Sequence, residues 1–177
     1  MNLWHEISLG KNAPKEINVI VEINKGSKNK YEINKETGLI ALDRALHTAQ
    51  DYPFDYGFIP QTLWDDDDAL DVVLFTTYPL FPGIMAKARP IAIMHMIDGG
   101  DSDDKIIAVP AKDPRWDEIQ NLGDINKHTL KEMQHFFETY KMIQGTEITI
   151  SGFGDKKAAE DAVMRSIKLY NEKFGGK

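Results

Sequence analysis

The chain has 177 residues and carries 28 acidic residues against 21 Lys and Arg, a net charge of −7, within a 42% hydrophobic and 28% charged composition typical of a globular protein. That length supports one domain, residues 1–177, with a sizeable core, and the acidic balance argues against a general binder of nucleic acid or anionic membrane. The lack of cysteine excludes disulfides and thiolate metal sites, no apolar run approaches a membrane span, and MNLWHEISLG lacks the basic and apolar regions of a signal peptide, so the chain reads as cytoplasmic.

The first predicted element is a strand over INVIVEI (17–23), a β-branched run. NKGSKN then supplies a turn, and KYEI (30–33) alternates again as a hairpin would. LIALDRAL (39–46), YGFIP (56–60), LDVVLFTTYPL (70–80), GIMAKARPIAIMHMI (83–97) and KIIAVPA (105–111) continue as short strands broken by Pro, Gly and Asp. This density predicts a closed or nearly closed barrel. The character changes after residue 112. DPRWDEIQNL (113–122) predicts a short helix with Pro114 in its first turn. NKHTLKEMQHFFETYK (126–141) places Leu130, Met133, Phe137 and Tyr140 at helical spacing. His128, His135 and Phe136 are expected on a face of that helix that the core does not use. TEITISGF returns to strand, and DKKAAEDAVMRSIKLYNEKF (155–174) is a second amphipathic helix, with Asp155 as its cap. The sum is an α+β protein: a β-rich barrel with two main helices late in the chain.

The stretch WDDDDALDVVL (64–74) crowds five aspartates where a strand enters a core. Adjacent carboxylates repel, and burying one unpaired is costly. Asp66 and Asp68, two apart, share a face, and Asp71 follows after a bend at Ala69. A second acidic loop, MIDGGDSDDK (96–105), holds Asp98, Asp101, Asp103 and Asp104 between two apolar strands. Either loop alone reads equally as a solvated turn. Two such loops beside neighbouring strands, with basic residues nearby, point to a hard oxygen-ligated cation such as Mg²⁺. An EF-hand does not fit: counted from Asp66, positions 6 and 12 are Asp71 and Thr77 instead of Gly and Glu.

Lys30, Arg44, Lys105 and Lys141 each sit near a strand or helix end. Each also has a plainer reading: Arg44 can pair with Asp43, Tyr140 lies on the apolar helix stripe, and Tyr56 fits barrel packing. The five histidines show no metal spacing, and no glycine-rich nucleotide loop is present.

The pattern Asp-x-Asp-x-x-Asp at Asp66, Asp68 and Asp71 resembles the signature of the soluble type-one inorganic pyrophosphatases. So do VEINKGSKNKYEI (21–33), LDRAL (42–46), YPFDYGFIP (52–60), DGGDSDDKIIAVP (98–110) and HFFETYK (135–141). The blocks run in register from about residue 4 to 170, and the length matches the short prokaryotic form. One departure is Ala69, where the family usually has Pro or Glu; it bears on loop stiffness more than on ligation. Asp65 and Asp67 add charge beyond what the motif needs.

The resemblance implies a five-stranded OB-like barrel that hydrolyses pyrophosphate to two phosphates. It implies several Mg²⁺ ions per subunit, with Mn²⁺ or another divalent ion able to substitute, and a homohexamer built as a dimer of trimers. Carried over by motif, Asp66, Asp71, Asp98 and Asp103 resemble the main metal ligands, with Asp71 bridging. Asp68 resembles the general base. Glu22 and Glu32 resemble outer carboxylates for substrate-associated metals, and Lys30, Arg44, Tyr56, Lys105, Tyr140 and Lys141 resemble the phosphate contacts. Two rivals are a metal-dependent phosphohydrolase acting on another small phosphate ester, and a non-catalytic OB-type module binding single-stranded nucleic acid. The net charge and the acidic loops oppose the second.

Overall fold

Every residue of strand β1 (Ile17–Ile23) is buried, Asn18 and Glu22 included. A strand covered on both faces cannot alternate apolar and polar positions, which explains the continuous run INVIVEI. The computed structural model describes residues 1–175. After β1 come β2 (Asn29–Ile33), β3 (Ile40–Ala45), β4 (Asp55–Phe58), β5 (Asp71–Leu74), β6 (Met85–Asp98), β7 (Asp101–Ser102) and β8 (Lys105–Pro110). Helix α1 (Lys127–Thr139), strand β9 (Ile148–Gly154) and helix α2 (Lys156–Phe174) complete the order.

Strands β1, β4, β5, β8 and β6 pair in that order, and β6 pairs back to β1, closing a five-stranded ring. The β5–β8 pair is parallel and the other four are antiparallel. Closure removes the free edges of the barrel. The 14-residue β6 serves four partners: β1 along its start, β8 through its middle, and β9 and the short β7 along its end. Strands β2 and β3 form a separate hairpin with Lys30 opposite Arg44. The α+β barrel with two late helices is therefore observed, and each run read as strand overlaps an observed one, although LDVVLFTTYPL (70–80) is strand only over Asp71–Leu74.

Gly57 in β4 is required by a close approach: a Cβ there would lie 1.9 Å from the carbonyl oxygen of Ile20 on β1. Helix α1 packs Met133, Phe136, Phe137 and Tyr140 against Tyr52, Phe54 and Val73. Helix α2 lays Ala159, Ala162 and Val163 on another face, against Val19, Val72 and Ile93. Among the described residues no helix is long and apolar enough to cross a membrane.

Two local expectations fail. DPRWDEIQNL is not one helix but two 3₁₀ turns, Pro114–Trp116 and Leu122–Asp124. Asp113 caps the first through the Arg115 amide, while Trp116 stacks on Phe75 and donates its indole N–H to Thr77. These long-range contacts fix the segment against the barrel and override a weak helical pattern. Phe136 is also not on a free face. It is 3% exposed and stacks on Tyr140 at 5.2 Å between ring centroids. His128 and His135 are exposed, as expected.

Candidate active site

The barrel presents a cleft of about 330 Å³ at the ends of β1, β2 and β5 and beside the acidic loops. Eleven of the thirteen residues singled out from the sequence line it. The carboxylates are Glu22, Glu32, Asp66, Asp68, Asp71, Asp98 and Asp103. Lys30, Lys141, Tyr56 and Tyr140 complete the set. Arg44 and Lys105 are not among the lining residues, but both stand just behind them. No histidine lines the cleft.

Lys105 enters from the start of β8, which runs parallel to β5 and sets Lys105 opposite Asp71. Its ammonium is 2% exposed, lies 2.6 Å from Asp71 Oδ2, and also bonds Asp103 Oδ1. Burial works against that charge, but Asp103 and Asp71 outweigh it and hold the Lys105 pKa above its usual value. The Tyr56 hydroxyl donates to the same Asp71 oxygen at 2.5 Å. Burial, followed by the charge of Asp71, raises the Tyr56 phenol well above its usual value. Across the cleft, Lys141 follows α1 and pairs with Asp98, with its ammonium 5.6 Å from the centroid of the Tyr140 ring. Tyr140 is both a core residue, 5% exposed, and a wall of the cleft.

The β2–β3 hairpin supplies the other cations. Lys30 bonds Glu32 and lies 3.6 Å from Asp43. Burial and the neighbouring Arg44 lower its pKa. Arg44 Nη1 pairs with Asp43, the plain reading made from sequence. Its Nε, however, is buried with no hydrogen-bond partner. A buried unmatched donor on a cation is costly unless a ligand completes it.

The carboxylates are not balanced evenly. Lys105 answers Asp71 and Asp103, and Lys141 answers Asp98. Burial works to raise Asp103, yet Lys105 holds it below the usual carboxylate range. Burial raises Asp71 in spite of the same lysine. Asp66, pressed first by burial and then by Asp71 and Asp103, is pushed up to about 7. Glu22, buried and facing Asp71, is pushed up to about 8 although its Oε1 accepts the Ile33 amide at 2.7 Å. The cleft thus holds more negative charge than its own lysines neutralise. Its donors are all oxygens, the set that suits a hard divalent cation. Among the described residues no three carboxylates already stand as a closed metal shell, and the Lys105 ammonium bonds both Asp71 and Asp103.

The four consecutive aspartates alternate in direction. Asp66 and Asp68 face the cleft, whereas Asp65 pairs with Arg165 and Asp67 with Lys173, both on α2. Asp67 adopts a left-handed backbone, φ 65°. Lys35, absent from the sequence-based candidates, lines the cleft and lies 2.6 Å from Asp68 Oδ1. It sits in the turn after β2, where no periodicity signals a role. Tyr31, also missed, lines the cleft from β2; the alternation of KYEI identifies a strand but not which face is functional.

A sequence profile of the inorganic pyrophosphatase family matches residues 19–171. An inorganic pyrophosphatase from Haloferax volcanii is 49% identical over 175 residues, covering 98% of this chain and 99% of that protein. A soluble inorganic pyrophosphatase from Zea mays is 44% identical over 167 residues, covering 94% of this chain and 78% of that protein. The crystal structure of inorganic pyrophosphatase from Thermus thermophilus superposes with a TM-score of 0.93 at 42% identity, covering 97% of this chain and 99% of that one. With a match spanning most of its length and the acidic cleft of the same fold, the chain belongs to the inorganic pyrophosphatase family.

Proposed function

We propose that the chain hydrolyses inorganic pyrophosphate to two phosphates, with Mg²⁺ as cofactor and Asp68 as general base. The observation that carries this reading is the charge pattern of the cleft: an excess of carboxylates on one side, with Lys30, Arg44 and Lys141 set around it. A polyanion cannot enter such a site alone, and a cation-accompanied one can. Asp66, Asp71, Asp98 and Asp103 would hold the cations, with Glu22 and Glu32 outside them. Bound there, Mg²⁺ supplies charge neutralisation and lowers the pKa of water toward neutrality.

The protein groups do the rest. Lys30 reaches the cleft from β2 and Lys141 from the end of α1, so they approach the phosphates from two sides. Arg44 brings the buried, unmatched Nε described above, suited to a phosphate oxygen. Tyr140, held protonated, is a hydrogen-bond donor, whereas the single Tyr56 hydroxyl proton goes to Asp71, so Tyr56 meets a phosphate as a donor only if that bond is exchanged. Such fixed donors stabilise charge that develops on the leaving phosphate. Lys105 is committed to Asp71 and Asp103, so its first role is to order those carboxylates. Asp68 is half-exposed at the cleft, where it can accept a proton from the attacking water.

Phosphate release from pyrophosphate, ATP and p-nitrophenyl phosphate, each with Mg²⁺, tests the reading. Rapid release from pyrophosphate alone is expected, and cleavage of ATP at an equal rate would overturn it. A homohexamer is part of the proposal. Exposed apolar side chains in residues 78–85, Tyr78 and Phe81 among them, support self-association; sedimentation of a stable monomer at micromolar concentration would refute it. The cytoplasm is proposed as its compartment, which cell fractionation tests.

A further inference from the structure

We propose that helix α2 clamps the acidic turn from behind, with Arg165 and Lys173 as positioning residues that set the reach of Asp66 and Asp68. The inference rests on the functional reading above for its catalytic consequence, but its geometry stands alone. Arg165 Nη2 lies 2.6 Å from Asp65 Oδ1, and Lys173 Nζ lies 2.7 Å from Asp67 Oδ1. These two aspartates alternate with the two that face the cleft. Fixing Asp65 and Asp67 outward therefore fixes Asp66 and Asp68 inward. Arg165 and Lys173 are eight residues apart, on one side of the helix and about 12 Å apart along its axis. They thus hold the turn at two separate points.

Other contacts tie the same segment to α2. The Arg165 guanidinium lies 4.6 Å from the centroid of the Trp64 ring, and the Leu63 amide donates to the Ser166 carbonyl at 3.0 Å. Within the turn, the Trp64 amide donates to the Asp68 carbonyl at 2.7 Å and the Asp67 amide to Trp64 at 3.2 Å. Asp67 holds φ at 65°, the left-handed region that Asp enters more readily than most residues but still uncommonly. The Lys173 pair helps to keep it there. Exposed ion pairs contribute little to global stability. Two of them aimed at one turn, on residues that neither face the cleft nor pack the core, fit local ordering instead. Geometry matters here because a misplacement of about 1 Å at a reacting group costs up to about a hundredfold in rate.

The test uses Arg165→Ala/Lys173→Ala in the full chain. Hydrogen exchange on the metal-free protein should show faster exchange at residues 64–68 and unchanged exchange at Val72–Leu74. With pyrophosphate and Mg²⁺ saturating for each protein, kcat should fall about tenfold or more while KM stays within about twofold, because Lys30, Arg44 and Lys141 are untouched. Arg165→Glu should lower kcat alone, and adding Asp65→Lys should recover most of that loss. Wild-type exchange in the alanine variant overturns the proposal. So does faster exchange with unchanged kcat, which would make the clamp structural only, and so does a loss of kcat that charge exchange fails to recover. If the wild type itself does not hydrolyse pyrophosphate, the functional reading fails, and hydrogen exchange still decides whether the clamp exists.

Discussion

Glu22 should make the metal-free protein lose stability as pH rises through neutrality. It is 6% exposed on a strand buried on both faces. Burial, and then the Asp71 carboxylate, push it from 4.5 to about 8. Below pH 4.5 the group is protonated in both folded and unfolded chains, and it costs nothing. Between 4.5 and 8 the unfolded chain releases the proton and the folded one does not, so stability falls steadily. Above 8 the loss is complete. The gap of about 3.5 pH units, at about 1.36 kcal/mol each, sets an upper limit of about 5 kcal/mol. Glu22→Gln keeps the oxygen that accepts the Ile33 amide but carries no charge. In EDTA, calorimetric melts of the variant and the wild type should agree near pH 4.5 and diverge by up to about 10–20 °C at pH 8.5. Mg²⁺ should narrow the gap, because a cation favours the ionised carboxylate that burial opposes. Parallel melting curves from pH 4.5 to 8.5 would mean that Glu22 titrates as in the unfolded chain, and the account of an unbalanced cleft would fail.

Asp68→Asn should cut kcat by roughly 10²–10⁴ while leaving Mg²⁺-induced thermal stabilisation in place; turnover near that of the wild type would remove Asp68 from the base role. Mg²⁺ at one hundred times its Kd should stabilise the wild type by about 2.7 kcal/mol, more than NaCl of matched ionic strength, and Asp71→Asn should blunt that effect. Equal shifts from Mg²⁺ and NaCl would make the aspartates a solvated acidic surface. Lys105→Met leaves Asp71 and Asp103 without their buried partner and should cost about 3–5 kcal/mol in urea unfolding without metal; a loss below about 1 kcal/mol would show that water replaces the ammonium.

Much of the fold and the site is legible in the chain because local chemistry constrains both. INVIVEI reads as a strand, and its lack of alternation already implies burial on both faces. The helix over 127–139 follows from its apolar spacing and from Asn126, whose side chain caps it. The carboxylates of the cleft stand out because so many like charges beside apolar strands have few structural uses. Burial of Phe136 beside Phe137 was not legible. Neighbouring helical positions point about 100° apart, so a single stripe cannot hold both, and it takes Tyr52 and Phe54 on one side to bury them together. The segment 113–122 likewise took its shape from Phe75 and Thr77 instead of from its own pattern.

The row of four aspartates divides these two kinds of information. Residue type and spacing, taken with the second acidic loop, pointed to cation-binding chemistry there. The two-residue spacing already set Asp66 and Asp68 on one face, but it did not show what holds Asp65 and Asp67 away from the cleft. That hold comes from Arg165, 100 residues beyond Asp65, and from Lys173, 106 residues beyond Asp67. Like charges in a row have no preferred direction of their own; only an opposite charge held on a rigid neighbouring element gives alternate members a reason to turn away.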